Sequence, residues 1–155
     1  MSNNVASRLY IKGTPVAISE FLVGMRDADN SFLMAHGPTV DENYPLEEGD
    51  SIDDWRKEHW GCKSYDEDVE VMKLSWDPIP EEEYEYNSSE QIRISFETPW
   101  SAPLTGLDYI AKKFKNLQFK IFYEDENLGY MGITHWKEGK IIEEWVYSIE
   151  DELIK

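Results

Sequence analysis

The chain has 155 residues, 41% of them apolar and 14% aromatic, with 15 lysines and arginines against 32 aspartates and glutamates, a formal charge of -17. That is one domain with enough apolar material for its own core. A single cysteine, Cys62, excludes an intrachain disulfide framework, and no apolar run of about 18 residues is present to span a membrane. The acidic balance argues against an electrostatic footprint for nucleic-acid phosphates or anionic lipid. With a reduced cysteine and no basic-then-apolar leader in Met1 to Arg8, a cytoplasmic location is expected.

Residues 7–12 alternate in polarity and read as a strand. Thr14 as N-cap and Pro15 at the first helical position then open a helix over 15–27, with Ile18, Phe21, Leu22 and Met25 on one face. Residues 28–66 show no sustained period and read as an insert. A structureless loop of that length is unusual inside a domain, so short helical pieces are expected, one near 51–59 with Ser51 as its cap. Residues 69–76 read as a strand with apolar side chains on both faces, 77–89 as a polar connection, and 91–96 as a half-buried strand. Thr105 and Asp108 resemble a capping box opening a second amphipathic helix, with Leu107, Ile110, Ala111, Phe114 and Leu117 as its stripe. A strand follows with Phe119, Ile121 and Tyr123 on one face. Then come a turn at 125–127, a strand at 130–136, a tight turn at 137–140 and a hairpin partner at 141–147; 148–155 read as a last helical turn or a frayed end.

The order β-α-insert-β-β-α-β plus a hairpin is the split βαβ pattern. It predicts an α+β fold of the ferredoxin-like class in a single domain, 1–155. Two helices cover one face of an antiparallel sheet, a long insert at 28–66 follows the first helix, and an extra C-terminal β-hairpin completes the order. The other face is left to solvent, to a partner or to the insert, which its tryptophans would pin there.

Two islands carry a resemblance. Residues 55–63, containing Trp60-Gly61-Cys62-Lys63, and residues 96–103, containing Thr98-Pro99-Trp100-Ser101-Ala102-Pro103, resemble segments of the YubB-like family; Tyr123-Glu124 with Gly129 and Gly132 are similar to a third. The resemblance implies a ferredoxin-like domain of phage, plasmid or integrated-element origin and brings no biochemical activity with it.

Trp60, Lys63, Trp100 and Ser101 lie in these islands and are the candidate binding residues: either tryptophans that pin the insert, or an aromatic cleft with one cation. His36, His59, His135 and Cys62 are too few and too scattered for a four-ligand zinc site, and neither a nucleophile elbow nor a phosphate-cradling glycine loop is present. Glu97 and Glu124 could face each other as a like-charge pair. No catalytic residue, metal ligand or cofactor is assigned, and the reading leans away from an enzyme. The expected function is a protein-interaction module of a mobile element, presenting acidic surface to a basic host or phage protein. The alternatives are a small-ligand or enzyme site at Trp60, Lys63 and Trp100, or a single-stranded nucleic-acid binder stacking bases on Phe119, Tyr123 and Trp136. Oligomeric state is left open.

Overall fold

A computed structural model describes residues 4–74, 90–127 and 129–148. The first strand, β1 (Asn4–Gly13), leads into α1 (Pro15–Asp27), where Thr14 Oγ1 accepts from the Ala17 amide at 3.2 Å and Pro15 stands in the first turn, as the sequence predicts. The insert carries two short helices, α2 (Phe32–His36) and α3 (Ile52–His59). Ser51 caps α3 reciprocally with Asp54, so the expected helical piece is present. Strands β2 (Glu67–Lys73) and β3 (Glu90–Pro99), helix α4 (Leu104–Lys113), and strands β4 (Gln118–Asp125), β5 (Tyr130–Lys137) and β6 (Lys140–Ser148) complete the order. The expected connection at 77–89 and the tail beyond Ser148 lie outside the described residues.

The six strands form one antiparallel sheet in the order β2-β3-β1-β4-β5-β6. β3 separates β1 from β2, and β1 separates β3 from β4, so both helical crossovers skip a strand, as a split βαβ unit requires. Side chains alternate strictly across the pleat. Leu9 and Ile11 register with Ile94 and Ile92 on one side and with Ile121 and Phe119 on the other, and all six are fully buried.

Both long helices lie over that face. Phe21 of α1 meets Phe119 of β4 at 5.9 Å between ring centroids, and Asp108 of α4 accepts from the Trp136 indole at 3.1 Å. Phe119 and Trp136 are register partners and point to the same side. The opposite face carries Arg8, Tyr10, Phe122, Ile133 and Trp145, and among the described residues no helix covers it.

Two expectations are corrected. The insert is not pinned onto the open face. It joins the helices, with Phe32 against Phe96 of β3 at 4.8 Å and His36 against Phe114 at 4.8 Å. The reason is polarity: Phe32, Leu33, Trp55 and Trp60 are buried in the common core, and each indole N–H donates to an insert carbonyl, Trp55 to Tyr44 and Trp60 to Pro38, both at 2.9 Å. The second correction concerns α4. It starts at Leu104 behind Pro103, with no side-chain cap; Asp108 serves Trp136 and Lys112 instead of closing a box with Thr105.

Asp66 closes the insert. Its buried carboxylate accepts from Ser31 Oγ at 2.6 Å and from the Phe32 and Leu33 amides at 3.2 Å, capping the first turn of α2 across a long chain separation. Burial pushes this carboxyl above its ordinary range, and those hydrogen bonds oppose the shift.

Candidate functional site

The two islands do meet. Lys63 Nζ lies 5.6 Å from the Trp100 ring centroid, within cation–π reach, and Ser101 Oγ donates to the Gly61 carbonyl. The Gly106 amide donates to the Trp60 carbonyl at 2.9 Å. Gly61 has a φ of 89°, a left-handed conformation natural to glycine, which lets the chain turn from α3 towards the start of α4. The four candidate residues part company in burial. Trp60 belongs to the core, whereas Trp100 is 50% exposed and holds a φ of 69°, strained for a side chain of its size. The Trp100 carbonyl accepts from Tyr130 Oη at 2.9 Å. The result is a packed junction with one exposed ring and one half-buried cation, rather than a cleft floored by two tryptophans.

A broad concavity of about 670 Å3 lies instead on the open face of the sheet. This is within the range of about 300–1,000 Å3 found for ligand sites. Its floor includes Ala6 and Arg8 of β1, Phe122 of β4, Met131 and Ile133 of β5, and Trp145 of β6 forms a wall. Register explains the grouping. Ser95, Arg8, Phe122, Ile133 and Trp145 are successive cross-strand partners, so one row of the pleat runs across five strands. β6 is an edge strand whose Trp145 and Tyr147 point to this face and remain exposed, so the wall is apolar and accessible.

The face is electrically divided. At one end stand Glu97, Asp68 and Glu124. Glu97 and Glu124 do not face each other directly; both pair with Ala6, which lies between them. Burial and the neighbouring Asp68 carboxylate push the Glu97 carboxyl up, so the like-charge effect is present with a different partner from the expected one. Towards the other end lie Arg8, Lys12, Arg93 and Lys120. Lys120 Nζ sits 5.4 Å from the Phe122 ring centroid and 3.8 Å from Glu143. Burial, followed by Lys120, lowers the His135 pKa.

Phe119, Tyr123 and Trp136, expected to stack bases, cannot do so. All three are buried on the helix side. The aromatics offered to a partner are Tyr10, Phe122, Trp145 and Tyr147. The alternation that put 119, 121 and 123 together could have identified 122 as outward-facing; the strand order needed to place Tyr10 beside it was not in the sequence.

Other chemistry is sparse. Cys62 is fully buried, its thiol donates to the Ser64 carbonyl at 3.2 Å, and burial pushes its pKa up to about 12, so it is held as a thiol. His36 Nε2 donates to the Phe21 carbonyl at 2.9 Å inside the core. Among the described residues, no three His, Cys, Asp or Glu side chains converge as metal ligands, and no helix is long and apolar enough to cross a membrane.

Comparison with known proteins decides the family. The pattern describing the ferredoxin-like domain in Api92-like proteins matches residues 73–153, just over half of the chain. The chain belongs to that family. In this Api92-like chain the matched stretch carries β3, α4, β4, β5 and β6, while β1, which sits between β3 and β4, comes from before it. A crystal structure of the protein api92 from Yersinia pseudotuberculosis is similar at 14% identity with a TM-score of 0.49; the match covers 66% of this chain and 32% of that one. The chain therefore spans about a third of that protein's length. No curated protein matches the chain. The α+β, ferredoxin-like class read from the element order is the class of this family.

Proposed function

We propose that this Api92-like domain is a non-enzymatic interaction module whose working surface is the open face of its sheet. The observation that carries the reading is the concavity itself: an apolar floor of Phe122, Met131 and Ile133, walled by Trp145, on the side that neither long helix nor the insert occupies. Isolated exposed apolar residues need no explanation, but a contiguous apolar floor rimmed by charge marks a recognition surface. The divided charge at its rim supplies orientation. A mobile-element origin belongs to the same proposal and rests on the resemblance of the two tryptophan islands to YubB-like proteins.

The alternative site at Trp60, Lys63, Trp100 and Ser101 is supported by the Lys63–Trp100 pair and the exposed Trp100 ring. Trp60 supports the core instead. The open face offers the larger concave surface and is the better-supported reading.

The test compares the immobilised protein with the doublet Phe122→Glu, Ile133→Glu in bacterial lysate. Both positions are half-exposed on the open face, so the fold should survive, as checked by circular dichroism. The wild type is expected to retain specific material that the doublet loses. Retention of the same material by both, or its loss on Lys63→Ala with the doublet unaffected, would move the site away from the open face.

A further inference from the structure

The charge around one ring of the open face is opposite in sign to the charge of the chain. Tyr10 lies near the centre of the sheet on β1. Its neighbours along β1 on the same face are Arg8 and Lys12, and its direct cross-strand partners are Arg93 of β3 and Lys120 of β4. The four diagonal positions are Gln91, Ser95, Gln118 and Phe122, none of them acidic. In a chain with 32 acids and 15 lysines and arginines, the eight sheet positions around this ring, all among the described residues, hold four cations and no carboxylate.

These cations are poorly neutralised. Among the described residues only Lys120 has an ion-pair partner, Glu143 at 3.8 Å. Arg93 donates to Met72 Sδ at 3.5 Å, and its buried Nε–H has no hydrogen-bond partner among the described residues. Four like charges on adjacent positions of a sheet repel one another. An anion bound over Tyr10 would relieve that repulsion and supply an acceptor for the Arg93 donors.

The rings complete the specification. Tyr10 meets the edge of Phe122 at 5.7 Å and 80°, and Phe122 continues as floor of the concavity towards Trp145. Flat apolar faces interleaved with cations match a polymer that alternates flat rings with anions. We propose that the open face binds single-stranded nucleic acid, with bases stacked on Tyr10, Phe122 and Trp145 and phosphates met by Arg8, Lys12, Arg93 and Lys120. The inference rests on the open-face reading and names its occupant. Glu97 and Glu124 close the far end of the groove to phosphates, which limits the footprint to the half of the face around Tyr10. A basic protein segment is disfavoured there because the positive charge surrounds the rings.

The experiment is fluorescence anisotropy with labelled oligothymidylate and oligouridylate of about 12 nucleotides, a length within the range spanned by single-strand binding folds. Binding is expected at low salt, with a slope of log K against log salt of about -3 if four phosphates are engaged, hence roughly 50-fold weakening between about 50 and 200 mM salt. Tyr10→Ala should weaken binding by roughly tenfold, the loss of one stacked base. Arg8→Glu with Lys12→Glu should weaken it by more than that, whereas Lys57→Glu with Lys115→Glu, an equal charge change away from the open face, should leave most of it. No binding at low salt, equal loss in both charge-reversed doublets, or displacement by an oligoglutamate peptide as readily as by unlabelled oligonucleotide would overturn the nucleic-acid assignment. The open-face reading itself falls only if the Phe122→Glu, Ile133→Glu doublet also leaves lysate capture unchanged.

Discussion

The indole of Trp136, the largest fully buried side chain among the described residues, donates its N–H to Asp108 Oδ1 at 3.1 Å and so ties β5 to α4. Sequence spacing assigns Asp108 to the helix start, where a carboxylate favours the positive end of the dipole. The structure gives it a different task. Asp108→Ala leaves a buried N–H donor without a partner and is expected to lower unfolding free energy by about 1–3 kcal/mol. Asp108→Asn keeps an acceptor and should recover most of that loss. The pair that Asp108 also makes with Lys112, at 2.7 Å, is exposed to solvent and screened, so it adds little. Urea denaturation of the two variants separates these contributions, and equal destabilisation would show that charge rather than the indole bond is what matters.

Tyr123 of β4 lies directly across from Gly132 of β5, with its buried ring occupying the space a Cβ would need. Gly132→Ala should force the ring to move and cost about 1–3 kcal/mol, the usual range for overpacking. The loss should shrink when Tyr123 is first shortened to Leu, because the two changes share one cause. Additive losses in the double variant would refute the steric explanation.

His36 gives the stability a dependence on pH. Burial, together with Lys113, lowers its pKa, while the hydrogen bond to the Phe21 carbonyl acts the other way. The folded state thus binds the proton less well than the unfolded chain, whose histidine titrates at about 6.5. The contribution is fully present above about pH 6.5 and is lost as pH falls from there through the lowered folded value. Thermal melts from neutral pH downwards should show a declining Tm, and His36→Gln, which retains an N–H for Phe21, should flatten that part of the decline. A variant whose acid profile in that window matches the wild type would exclude His36 as its source.

Cys62 should be inert in the folded protein. A buried thiol with its pKa pushed up to about 12 has almost no thiolate at mildly alkaline pH. A thiol reagent such as Ellman's should modify it only as fast as the chain opens and should label it at once in denaturant. Rapid labelling under native conditions would contradict the buried placement of the loop after α3.

Much of the fold is legible because it is carried by local signals. Thr14-Pro15 starts α1, Ser51 with Asp54 starts α3, and the alternation of Phe119, Ile121 and Tyr123 marks a covered strand face. Glu138 and Gly139, both with positive φ, make the turn expected between β5 and β6. What was not legible depends on distant partners. α2 is five residues long, too short for periodicity, and its first turn is held by Asp66, more than thirty residues away. The side chosen by the insert depends on Phe32 finding Phe96. The same limit applies to the site. Trp60, Lys63, Trp100 and Ser101 stand out in the sequence because tryptophans are rare and clustered, and their islands do come together. The surroundings of Tyr10 come from three strands, and only their register reveals four cations around one ring.

The functional account depends on a sheet with one face covered by the helices and one face that no described element covers. The most direct test is NMR with a neutral, soluble paramagnetic agent. Side-chain signals of Phe122, Ile133 and Trp145 should broaden, while those of Leu9, Ile94 and Ile121 should not. Equal protection of both sets, or broadening of Leu9 and Ile121, would contradict the arrangement from which the interaction surface is inferred.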